Sequence, residues 1–124
     1  MGELTTTIAQ PLREVESRVR AALAVEGFGV LTEIDVDGVF RAKLGVERAP
    51  LKILGACNPR FAHDALERDA DAALAIPCNV VLESLGETST RVSIADPASM
   101  MPGANVADLT ADARARLARV LAAL

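Results

Sequence analysis

The strongest constraint on the fold is a hydrophobic period that changes several times along the chain, with proline or glycine near most of the changes. Leu4, Thr6 and Ile8 alternate with Thr5 and Thr7, the two-residue repeat of a half-buried strand, and Pro11 ends it. From Pro11 to Glu26 the repeat becomes three to four residues. Leu12, Val15, Val19, Ala22 and Leu23 form one stripe there, while Arg13, Glu16, Arg20 and Glu26 fall largely off it. Such a stripe is stable only against another apolar surface, so the chain must lay helix on strand. Pro11 suits a first helical turn and Gly27 a helix stop.

The same reading continues to the C-terminus. Phe28, Val30, Thr32 and Ile34 alternate with Leu31 and Glu33 as a second strand. Asp37 is expected to cap a short helix through Leu44, with Phe40 and Leu44 packed together and Gly45 ending it. Pro50 opens a third strand, Leu51 to Cys57, whose apolar centre is Ile53 and Leu54. Asn58-Pro59 is a strong helix start, because Asn accepts a bond from an orphan amide and Pro needs no donor at the first position. That helix should bury Phe61, Ala62, Ala65 and Leu66 and turn His63 outward. A fourth strand from about Ala75 to Leu85 turns at Gly86-Glu87 into a fifth, Thr90 to Ala95. After a loop holding Met100 and Met101, Asn105 is expected to cap a last helix. Its face of Val106, Leu109, Ala113, Leu117, Val120, Leu121 and Leu124 is the main cover of the sheet. The fold class is therefore α+β, a single domain over residues 1 to 124 with one curved, mostly antiparallel sheet and helices on one face.

Composition narrows the function classes. Of the 124 residues 51% are apolar, enough for a core, yet the only aromatics are Phe28, Phe40 and Phe61. No aromatic platform for stacking bases exists, and a net charge of -4 opposes phosphate binding, so no nucleic-acid partner is expected. The one basic run, Arg114, Arg116 and Arg119, reads as a solvated helix face near the negative helix end. No segment approaches the roughly 20 apolar residues of a membrane helix. Met1 to Ile8, with Glu3 and its threonines, lacks the pattern of a signal peptide, so a cytoplasmic location and reduced thiols are expected.

The chemistry on offer is concentrated in one dipeptide that occurs twice, Cys57-Asn58 and Cys78-Asn79, and these are the only cysteines. If the third and fourth strands are antiparallel neighbours, the end of one lies near the start of the other, and the two sulfurs can approach. Cys57 also precedes a helix start, where the partial positive charge favours thiolate. Three readings stay open: two small buried hydrophobes, a reversible redox or ligand-reactive pair, and a metal site. The last lacks ligands, since His63 is alone and Met100 and Met101 read as core filler or partner contacts. Asp35 and Asp37 form a possible carboxylate pair, with Asp37 already used as a cap. No nucleophile elbow, phosphate-binding loop or zinc-protease helix is present in the sequence.

The blocks Lys52-Ile53-Leu54-Gly55-Ala56-Cys57-Asn58-Pro59, then Ala62 and Ala65-Leu66, then Ile76-Pro77-Cys78-Asn79-Val80-Val81, resemble the family called domain of unknown function 302. The resemblance runs from about Arg13 to Pro97. It implies a fold like the saddle of the TATA-box-binding protein, with a β-α-β(4)-α core, and implies no established activity. The functional expectation is a small domain that associates with itself, most simply as a dimer, and binds a small ligand near Cys57, Asn58, Cys78 and Asn79, with no cofactor or metal. The alternative is a thiol-redox or soft-metal-handling protein using Cys57 and Cys78.

Overall fold

The computed structural model describes residues 4 to 124; residues 1 to 3, including Glu3 of the expected N-terminal pattern, lie outside the described residues. Five strands, β1 (Leu4–Ile8), β2 (Gly29–Asp35), β3 (Leu51–Cys57), β4 (Cys78–Gly86) and β5 (Ser89–Ile94), form one sheet in the order β1-β5-β4-β3-β2, antiparallel throughout. Helix α1 (Leu12–Val25) joins the first two strands, α2 (Val36–Leu44) the second and third, and α3 (Pro59–Arg68) the third and fourth. A short helix α4 (Pro97–Met100) leads to the long closing helix α5 (Ala107–Ala122). With α2 and α3 as insertions, the order is strand, helix, four strands, helix, as the family resemblance implies.

Side-chain alternation decides which face is covered. Leu54 and Ala56 of β3, Val80 and Leu82 of β4, and Val92 and Ile94 of β5 point to one side, where they meet Val15, Val19 and Leu23 of α1 and Leu117 and Val120 of α5. All are essentially removed from water, and each leucine so buried contributes roughly 1.5–3 kcal/mol. A second cluster of Phe61, Ala65, Ala72, Ala75, Met101, Val106 and Ala113 seats α3 and the 3-10 helix Ala70–Ala75 beside α5. At the β2 edge the helix side becomes polar: Lys52 Nζ reaches Glu16 at 2.8 Å and Glu33 at 3.2 Å, and Arg20 bonds both glutamates. Burial alone would raise the Glu16 carboxyl, but Lys52 and Arg20 outweigh it and hold the group below its ordinary value.

Several local expectations need correction. Asp35, not Asp37, occupies the N-cap position of α2; Asp37 lies inside the helix, where its Oδ1 accepts the first amide of β3, Leu51 N, at 3.0 Å. That bond, then a side-chain contact with Asp35 and last the charge of Arg41, together outweigh burial and keep the Asp37 carboxyl below the usual range. Leu44 is 69% exposed rather than packed inside, because α2 buries only Asp37. Leu66 is likewise exposed, lying at the margin of the α3 face rather than under it. Asn105 does not cap α5: the chain takes a 3-10 turn at Ala104–Val106, and the Asn105 amide donates to Arg68 O instead. β4 begins at Cys78 rather than near Ala75, since 70 to 75 wind as the 3-10 helix. Two glycine stops behave as read, Gly27 and Gly45 having φ of 84° and 66°.

Candidate functional site

The ladder registers turn the uncovered side of the sheet into a grid. One transverse row runs Thr5, Ser93, Val81, Ile53, Ile34, each residue directly opposite the next on the neighbouring strand. It is polar over β1 and β5 and wholly apolar over β4, β3 and β2. On one side of it lies a charged row, Thr7, Arg91, Glu83, Leu51, in which Glu83 pairs with Arg91 and also reaches Arg48. On the other side lie Asn79, Gly55 and Thr32. A Cβ at Gly55 would strike Thr32 Oγ1 and come within 2.8 Å of Pro77 Cγ, so these two side chains close over the glycine at that end.

The twin Cys-Asn motif is divided by this grid. Cys78 lies opposite Ala56 and shares its face, under the helices, where it is 7% exposed. Cys57 is one residue beyond Ala56 and therefore belongs to the open face, half-buried and opposite Gly29 of the edge strand. The two thiols are free and sit on opposite sides of neighbouring strands, an arrangement a disulfide cannot bridge without moving backbone. Asn79 follows Cys78 and so emerges, exposed, on the open face. Asn58 is the α3 cap: its Oδ1 accepts Phe61 N at 3.3 Å, and its Nδ2 donates to Glu26 O at 3.4 Å, tying α3 to the turn after α1. Of the four expected site residues, the fold thus brings Cys57 and Asn79 to one surface and assigns Cys78 and Asn58 to structure.

Electrostatics at the thiols contradicts the thiolate expected at the helix start. Burial pushes the Cys57 thiol up, and it pushes Cys78 up to about 11 with Cys57 adding to the effect. At Cys57 desolvation is the cause that acts, and one orphan amide of the helix end, Phe61 N, is already taken by Asn58. His63 is on the surface beside Asp64 and Glu67, and among the described residues no three His, Cys, Asp or Glu side chains gather to hold a metal ion. Met101 is buried in the second cluster and Met100 is exposed. Arg114, Arg116 and Arg119 are engaged with Asp96, Asp112 and Glu26. No helix among the described residues is long and apolar enough to cross a membrane.

Ile34 and Val81 are expected from sequence only as strand residues, and their meeting on the open face, with Val39 and Ala42 across the groove beside Ile34, is not. The signal for the row was present as the doublets Ile53-Leu54 and Val80-Val81. An adjacent apolar pair in a strand marks both faces, not one.

The overall fold is shared with known proteins. This chain belongs to the domain of unknown function DUF302 family, whose match spans residues 4–124. Among solved structures, the chain is similar to an uncharacterized conserved DUF302 protein from Bacillus stearothermophilus. The two are 28% identical, 99% of this chain and 98% of that one are covered, and the TM-score is 0.89. Comparison with curated proteins gives no match. The family relation covers the described residues and carries no activity with it.

Proposed function

We propose that this DUF302 domain works by self-association through the open face of its sheet, not by catalysis. The observation that supports this is the apolar half-row Val81, Ile53, Ile34, which lies outside the buried core, with Val81 and Ile53 half-buried and Ile34 exposed. It runs off the sheet edge toward further exposed apolar groups: Leu31 is 64%, Ile34 47% and Val39 44% exposed. Among the described residues, half of the exposed large hydrophobics lie between Leu31 and Val46.

The magnitude of the surface sets the strength of the contact. Three strands at about 4.8 Å spacing and about 20 Å of length offer roughly 300 Å², and one face of α2 adds about 130 Å². A pair of copies then buries roughly 900 Å², just under the threshold of about 1,000 Å² for a stable interface. The association should be reversible, in the micromolar range or weaker. Nucleic acid is a poor alternative, because the arginines nearest the row, Arg91 and Arg48, share Glu83 and keep only one net positive charge between them, far short of a phosphate-binding field. A ligand reading contracts to Cys57 and Asn79, which share the open face; the separation of the two sulfurs by the sheet speaks against a two-thiol centre.

Sedimentation over a concentration series tests the proposal. The native chain should pass from monomer to dimer. Ile53→Lys should remain monomeric at every concentration while keeping its circular dichroism spectrum. A native chain that is monomeric throughout would refute it.

A further inference from the structure

The groove where β2 meets α2 has an apolar floor with an acidic group at one end of α2 and a basic group at the other. It has a volume of about 490 Å³ and is lined by Glu33, Ile34, Asp35, Gly38, Val39, Ala42 and Lys43. The charges around it are paired within the chain: Glu33 with Arg20 and Lys52, and Arg41 with Asp37 and Glu47. Among the described residues, Asp35 and Lys43 have no oppositely charged partner within 4.0 Å, Asp35 touching only the Asp37 carboxyl, and they are opposite in sign. Asp35 sits at the start of α2, its carboxylate so close over Gly38 that a Cβ there would lie 2.6 Å from Oδ2, and Lys43 sits in the last turn.

Asp35 and Lys43 are equally spaced about Val39 in the sequence. A two-fold axis through Val39 therefore sets α2 antiparallel to its copy, with each Asp35 against the other Lys43 and each Val39 against its twin. Gly38 and Ala42, both small, line the same groove and let the backbones approach. We infer that this groove receives the same groove of a second copy, locked by two reciprocal Asp35–Lys43 ion pairs. An isologous contact needs a self-complementary patch of this kind, and a partner of one net charge would leave either the aspartate or the lysine unmatched. The inference rests on the self-association reading and specifies its geometry.

Charge reversal tests it by sedimentation. Asp35→Lys and Lys43→Asp should each weaken the dimer by about five- to tenfold, and the double reversal should return it to within about twofold of the native value. Lys43 is in the exposed last turn, so its variant keeps the test valid even if replacing Asp35 loosens α2; circular dichroism reports which has happened. Single variants that dimerise like the native chain, or a double reversal that fails to restore what the singles lost, would overturn the ion-pair lock. If Ile53→Lys still abolishes the dimer in that case, self-association stands and only this geometry falls. A native chain that never dimerises removes both.

Discussion

The two faces of β3 and β4 are built from neighbouring residues of the same apolar kind, yet they end in opposite environments. Leu54 and Val80 are fully removed from water beneath α1 and α5, while Ile53 and Val81, one position away, are left half-covered on the open side. Composition does not separate these residues; only the supply of helices does. The amphipathic helices α1 and α5 are used on one side, and α2, which buries no apolar residue of its own, stays at the β2 edge. An apolar row without an internal partner is what a self-associating surface requires.

Replacing one residue on each face should separate stability from association. Leu54→Ala should cost about 3 kcal/mol in urea unfolding, since it removes a fully buried side chain and leaves a cavity. Ile53→Ala should cost less than half of that in the monomer while weakening the dimer strongly. Equal losses of stability would break the distinction between the faces.

The cysteines sharpen it through pH and reactivity. Cys78 has a folded value of about 11 against an ordinary 9.0, so the folded state holds its proton more tightly than the unfolded chain does. Its stabilisation is complete below pH 9 and is lost as pH rises from about 9 to 11, roughly 2 to 3 kcal/mol in all, because the unfolded state releases the proton first. Cys78→Ala should flatten that part of the stability profile. Alkylation followed by mass spectrometry should label Cys57 in the native protein and Cys78 only on unfolding.

Smaller effects probe the ends of the grid. Gly55→Ala should destabilise by about 1–2 kcal/mol in thermal unfolding, because its methyl meets Thr32 and Pro77 on the open face. Asn58→Ala should cost about 1 kcal/mol through the lost α3 cap. A neutral Gly55→Ala would mean that this end of the open face is looser than its geometry.

Much of the fold was legible because periodicity and punctuation agree. Pro11, Gly27, Gly45, Asn58-Pro59 and the Gly86 turn each stand at an element boundary, and the α5 face is buried at Ala113, Leu117 and Val120 as its spacing predicts. The errors arose where two local solutions compete. Asp35 and Asp37 are equally plausible caps by type, and only the tertiary bond to Leu51 decides between them. The Cys-Asn motif was legible as a pair of structural corners and not as a site, because a shift of one residue relative to the ladder reverses the face of a side chain. Proximity of Cys57 and Cys78 followed from strand order; their separation by the sheet followed from register.

The most direct test of the open face as the association surface is a dilution series followed by amide resonances in solution. Residues of β2, the open-face row through Ile53 and Val81, and α2 around Val39 should shift with concentration, while α1 and α5 stay fixed. Concentration-dependent shifts confined to α1 and α5, or none anywhere, would contradict the account.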